Sequence, residues 1–433
     1  MITNTHKKIV LIFIIALGSI FNLFAEVSYY DYLNADSKII YDKIYNAIDN
    51  HLPEIKDIGD DFSTISDIYY YVLYDNPKFF YVTNKINYLT STYKNTVIDS
   101  TLELDYKSYD KEQIRTYNDK LNDIKYKILF DTLGMSKFEI AKYCFDYLVN
   151  NSYYDKLNND QSLISILIYG RGVCSSYAKA YKYLMDFFNI PCILVEGKFV
   201  DSDENHIWNM IELNNNWYHV DVTQADSSGN YVDYSYFCVN DKQIYKDHVL
   251  VSKVEVNKAE SDEFFYLDRL GLYFKSFDKT LLDRKLLELV NSNESQISLI
   301  FDDNTAFDKS YNYLINQNGF INNLSKQGYK ISALNYYENK VANTLTFLLD
   351  TPLEKEDILY FTKFDKTLIK KIILDKEKNN MVIFPLVFEE KSDYMEAKKV
   401  LIEDRYVFDI FDDINSINFT SYDQINRLDI QIK

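Results

Sequence analysis

Apolar positions recur with helical spacing near the start of the chain. Ile39, Ile40, Ile44 and Ile48 share one helical face, and Ile65 to Leu73 predicts a second helix. Asp75-Asn76-Pro77 reads as a turn, after which β-forming residues gather at Phe79 to Val82 and Val97 to Tyr106. Charged sequence with helical character resumes from Lys111 to Leu129. The pattern predicts a small N-terminal α+β leader domain over residues 26–134.

A different alternation follows. Ser136 can cap a helix in which Phe138, Ala141, Phe145 and Leu148 share one face. A short apolar helix at Leu163 to Tyr169 runs into Gly170-Arg171-Gly172. A longer one, from Cys174 to Phe188, carries Ala178, Tyr181, Met185 and Phe188 at core spacing before Asn189-Ile190-Pro191 stops it. Strands are expected at Ile193 to Phe199, His206 to Leu213 and Trp217 to Val222, giving a second domain over 135–260.

The remainder repeats itself. At an offset of 87, Phe277-Asp278-Lys279-Thr280-Leu281 recurs as Phe364-Asp365-Lys366-Thr367-Leu368, and Ser298-Leu299-Ile300-Phe301 aligns with Pro385-Leu386-Val387-Phe388. Each copy reads as helix, strand, helix and a terminal strand such as Thr344 to Leu349. Two copies are too few for a solenoid. They read as tandem α/β modules, about 264–350 and 351–433, suited to spacing or binding because neither holds a Cys or a His.

Composition narrows the function classes. The chain has 433 residues and a net charge of -18, which repels phosphate backbones and anionic lipid, so nucleic acid is excluded as a partner. Lys7 and Lys8 precede an apolar run from Ile9 to Phe24, shorter than the ~20 residues a spanning helix needs. Residues 1–25 therefore read as a signal peptide and the protein as secreted or periplasmic, with an N-terminal membrane anchor as the alternative. No stable membrane insertion is expected once the signal is removed. The four cysteines, Cys144, Cys174, Cys192 and Cys238, are too few for a disulfide scaffold. The spacings CxxC and HExxH are absent, as is a glycine-rich phosphate loop, so neither a metal nor a cofactor is expected.

The chemistry concentrates in one place. Of five histidines, His206 and His219 share a hairpin with both tryptophans, Trp208 and Trp217. Cys174 follows a glycine-rich turn at a helix start, where the helix dipole and a neighbouring imidazolium favour thiolate. If the hairpin closes with a two- or four-residue connection, paired positions sum to 429, and His206 and Asp221 become diagonal neighbours within side-chain reach. A three-residue connection would put them on opposite faces. Cys174 would attack, His206 would move the proton, and Asp221 would orient His206. His219 shares the face of Asp221 and is the competing base.

Gly172-Val173-Cys174 with Tyr177-Ala178, His206-Ile207-Trp208-Asn209, and Trp217-Tyr218-His219-Val220-Asp221-Val222-Thr223, with Tyr154-Asp155 upstream and Tyr236-Phe237 downstream, resemble the transglutaminase-like superfamily. That resemblance covers about a quarter of the chain. It implies an α+β fold with a core similar to papain-type cysteine enzymes and a catalytic triad on Cys174, His206 and Asp221. It also implies amide chemistry on a peptide or protein substrate through an acyl-thioester, ending in hydrolysis or acyl transfer. Gln224 stands where the family usually has Trp. The competing reading is a non-catalytic binding protein of the cell envelope, touching envelope components through its C-terminal modules and keeping the triad as scaffold.

Overall fold

The structure, a computed structural model, describes residues 28–94, 96–226, 231–252, 256–331, 334–377, 383–406, 410 and 417–432. The predicted signal segment, residues 1–25, lies outside them. Its contacts divide the chain into two units, 1–270 and 271–433.

In the first unit, helices Ala35–Asp49 and Phe62–Asp75 pack beside an antiparallel sheet of order β1-β3-β2 (β1 Glu54–Lys56, β2 Val82–Tyr93, β3 Thr96–Tyr106). The first long strand begins where the sequence pattern ended it. Phe79 to Tyr81 are instead buried in consecutive turns, with Phe79 N–H donating to Asn76 O and Val82 N–H to Phe79 O. Their apolar side chains reach the core from irregular backbone, which the local pattern cannot distinguish from strand. Asp75 ends its helix as a buried hub: its carboxylate accepts the N–H groups of Tyr29 and Tyr30 at 2.8 and 3.2 Å and the Tyr41 hydroxyl at 3.0 Å. Burial lifts its pKa to about 6 despite those donors and Lys182. Tyrosines here serve packing. Tyr29 stacks on Tyr71 at 4.5 Å, and its hydroxyl donates to Leu194 O at 2.5 Å.

One continuous core joins this segment to the next. Helix Lys137–Asn151 starts with a capping box between Ser136 and Glu139, a device worth about 1 kcal/mol. Helix Cys174–Phe187 lies against a five-stranded antiparallel sheet of order β10-β6-β7-β8-β9 (β6 Cys192–Phe199, β7 Asn205–Leu213, β8 Asn216–Val220, β9 Phe237–Val239, β10 His248–Leu250). Two buried polar side chains fasten that helix to the sheet: Asn209 Nδ2 donates to Ala178 O at 3.0 Å, and Lys182 Nζ donates to Cys192 O at 3.0 Å while pairing with Asp186 at 2.8 Å.

The second unit holds two four-stranded sheets of one topology. The first has order β11-β12-β14-β13 (Tyr273–Phe274, Gln296–Phe301, Thr344–Leu348, Asn335–Asn339). The second has order β15-β16-β18-β17 (Leu359–Phe361, Ile383–Phe388, Arg427–Ile432, Ile417–Tyr422). Core residues correspond at the offset of 87: Phe274 with Phe361, Leu286 with Ile373, Phe301 with Phe388, and Leu314 with Leu401 are all buried. Both copies also carry a π-helical turn at the same place, Asn312–Asn316 and Lys399–Glu403.

Candidate active site

Cys174 opens its helix behind Val173, an N-cap residue with no capping side chain, so no side chain takes the first-turn N–H groups beside the sulfur. The strand pair Tyr153–Tyr154 and Arg171–Gly172 leads into this turn. A Cβ on Gly172 would lie 2.8 Å from Ser176 Cβ, so only glycine lets the turn press against the helix. The sulfur is partly exposed, whereas Cys144, Cys192 and Cys238 are buried, and all four thiols are free. Arg171, in the short strand that leads into this turn, is exposed and lies 4.0 Å from Asp155.

The hairpin register is the one in which paired positions sum to 429: Asn209 faces Val220 and Leu213 faces Asn216. The connection is Asn214-Asn215, both at positive φ, a two-residue turn whose twist suits a hairpin. The strand stops at Val220, short of the expected Val222. Asp221 instead caps the short helix Val222–Ala225, its Oδ1 accepting the N–H groups of Thr223 at 2.9 Å and Gln224 at 3.1 Å. Local capping by a short acidic side chain outcompetes one more ladder pair. It also fixes the carboxylate, whose Oδ2 stands 2.6 Å from His206 Nε2.

His206 thus faces Asp221 through Nε2, and Cys174 is near enough to act on the imidazole through its charge. Burial pushes its pKa down, but Asp221 and then Cys174 outweigh that and lift it to about 10. Burial likewise pushes Asp221 up, and His206 with His248 hold it well below the usual carboxylate range. Phe199 and Trp208 wall the imidazole at 4.5 and 5.9 Å between ring centres.

His219, the competing base, is turned elsewhere. Its Nδ1 accepts from Trp208 Nε1 at 3.0 Å, and its Nε2 faces Asp241 at 2.8 Å. The sequence reading missed His248. Its Nε2 lies 3.0 Å from Asp221 Oδ2 and its Nδ1 2.5 Å from Asp247 Oδ1. The strand β10 brings it there by pairing His248 with Phe199, a long-range contact without local signature. Among the described residues, His206, Asp221 and His248 form the one cluster close enough to ligate a cation, but both imidazoles already turn their Nε2 atoms to the single oxygen a metal would need.

The pattern of the transglutaminase-like superfamily matches residues 130–222, the stretch that supplies Cys174, His206 and Asp221. This stretch is a transglutaminase-like domain. Two solved structures resemble it at low identity. One is a candidate cysteine protease from Cytophaga hutchinsonii, at 16% identity and a TM-score of 0.23, over 35% of this chain and 66% of that one. The other is a TGase, at 13% identity and a TM-score of 0.23, over 32% of this chain and 44% of that one. The match spans less than two thirds of either chain. No curated protein matches the sequence. The α+β fold with a transglutaminase-like core is thus the architecture in which the three side chains sit. Among the described residues no helix is long and apolar enough to cross a membrane.

Proposed function

We propose that the protein is a secreted cysteine enzyme that cleaves or transfers peptide or protein amides through an acyl-thioester at Cys174. The observation that carries this reading is the pairing of His206 with a fully buried Asp221 at 2.6 Å beside a partly exposed Cys174 at a helix start, whose charge acts on the imidazole. With its pKa lifted to about 10, His206 is an imidazolium at neutral pH and can balance a thiolate beside it. The sulfur attacks the amide carbon and forms an S–C bond, and the oxygen takes up the negative charge facing the Cys174 N–H at the helix start. The C–N bond then breaks as His206 gives its proton to the leaving amine. Water or a second amine adds to the thioester, His206 taking its proton, and the thiolate is released.

Export rests on the sequence alone, on Lys7, Lys8 and the apolar run that follows. N-terminal sequencing of protein recovered from the culture medium or periplasm tests it. A peptide library incubated with and without an added primary amine tests the chemistry. Cleaved or amine-linked peptides with the wild type and none with Cys174→Ala are expected. Equal product from both proteins would overturn the reading.

A further inference from the structure

Another feature lies on the same helix, away from the sulfur. Between the leader segment and the transglutaminase-like domain is a cavity of about 490 Å³. Leu73, Pro77, Phe79 and Phe80 supply apolar wall, and Lys179 reaches it from the Cys174–Phe187 helix. Lys179 is only 6% exposed, and among the described residues its ammonium has no hydrogen-bond partner; the Tyr74 ring has its centre 6.0 Å away, and Lys107 and Asp160 act on it through their charges. Lysines this buried usually carry a partner on the ammonium.

Several other polar groups around the cavity already have partners. Lys107 donates to Asp160 at 2.7 Å and to Ser162 at 3.0 Å, Asp105 accepts from Thr83 at 2.7 Å, and Asn84 donates to Gln161 at 2.5 Å. Lys85 stands exposed at the rim. Three ammoniums therefore face two carboxylates in a protein whose net charge is -18, and of the two with no hydrogen-bond partner among the described residues, those of Lys85 and Lys179, only Lys179 belongs to a buried residue. We propose that this cavity is a carboxylate-binding site anchored by Lys179, taking a monocarboxylate on an apolar or aromatic body, such as a peptide's C-terminal residue or a small free acid. A phosphate dianion fits worse, because Asp105 and Asp160 would repel its second charge.

Burial, then the charge of Lys107, lowers the Lys179 pKa to about 8 against the opposing pull of Asp160 and Cys174, so it still bears its proton at neutral pH. Asp160 links the cavity to the first turn of the nucleophile's helix, since its carbonyl accepts the Ser176 hydroxyl at 2.9 Å. The site does not depend on the enzymatic reading.

The test uses the full chain carrying Cys174→Ala, so that turnover and its absence are both irrelevant. Isothermal titration compares N-acetylphenylalanine, its primary amide, a tetrapeptide ending in phenylalanine, and inorganic phosphate. Saturable binding of either acid, with the amide at least about tenfold weaker, is expected, a difference of about 1.4 kcal/mol. Binding of the tetrapeptide but not the small acid assigns a peptide terminus, and the reverse assigns a free acid. Lys179→Met should abolish binding while thermal melting reports a folded chain. If that variant does not fold, the Lys179 side-chain ¹³Cε resonance of the Cys174→Ala chain must shift on adding the acid. Equal affinity for acid and amide, tighter binding of phosphate, no binding of either acid, or an unmoved resonance would each overturn the proposal.

Discussion

His248 places its Nε2 3.0 Å from Asp221 Oδ2, the same oxygen that holds His206 at 2.6 Å. Its other ring nitrogen meets Asp247, so both face carboxylates, an arrangement that suits an imidazolium. Burial pushes its pKa down, but the two acids outweigh burial and raise it. In its charged form His248 thus offsets part of the field that Asp221 exerts on His206.

His248→Gln removes that cation while keeping a hydrogen-bonding side chain. We expect kcat/KM to fall about tenfold, or 1.4 kcal/mol, as Asp221 loses an anchor. The alkaline limb of the pH profile should move to higher pH, because the full charge of Asp221 then favours imidazolium at His206. Mere loosening of the site would move that limb the other way, which makes the direction of the shift the informative reading.

Asp221→Asn tests the acid itself. In the wild type the alkaline limb of kcat/KM should lie near pH 10, where His206 loses its proton. In the variant it should drop toward the ordinary histidine value of about 6.5. Stability carries the same linkage. Because His206 is raised in the folded state, its contribution is complete below pH ~6.5 and disappears as pH rises toward 10. Asp221 is depressed, so its contribution is present above pH ~3.9 and fades on acidification. Denaturation midpoints across pH, in wild type and variant, read both.

Gly197→Ala probes the wall behind the imidazole. Gly197 pairs with His206 across the strands, and a Cβ there would lie 2.2 Å from Val249 O and 2.5 Å from the Trp208 ring. One of them must move, and Trp208 is wedged among His206, His219 and His248. Overpacking of this kind costs about 1–3 kcal/mol. A lowered melting temperature together with reduced activity is expected, and an unchanged melt would show the wall to be compliant.

Much of this arrangement is readable from residues because its causes are local. The hairpin register follows from alternation and a tight Asn-rich turn, and Ser136 announces its helix. Asp221 falls on the expected side of His206 for a different reason from the one the alternation suggests, since it acts from a helix cap and not from a strand. Neither His248 nor Lys179 is legible as functional. An edge strand paired across a long stretch of chain brings the histidine in. The lysine has the pattern of an ordinary helical position, and only the leader segment packing over it gives it a buried setting. The C-terminal repeat is legible at an offset of 87, but the strands β11, β13, β15 and β17 are not: they are short or polar and take their form from the neighbour they pair with.

Cys174 is a partly exposed thiol beside a charged His206, while the other three thiols are sealed in the core. Burial alone raises the Cys144 thiol, and burial also raises Cys238 and Cys192 despite Arg269 near the one and Lys182 near the other. Alkylation with iodoacetamide at neutral pH, followed by peptide mapping, tests this directly. We predict one rapid modification, at Cys174, slowed about tenfold or more by His206→Ala, with the other cysteines labelled only after denaturation. Uniformly slow labelling of all four cysteines, or a Cys174 rate indifferent to His206, would contradict it.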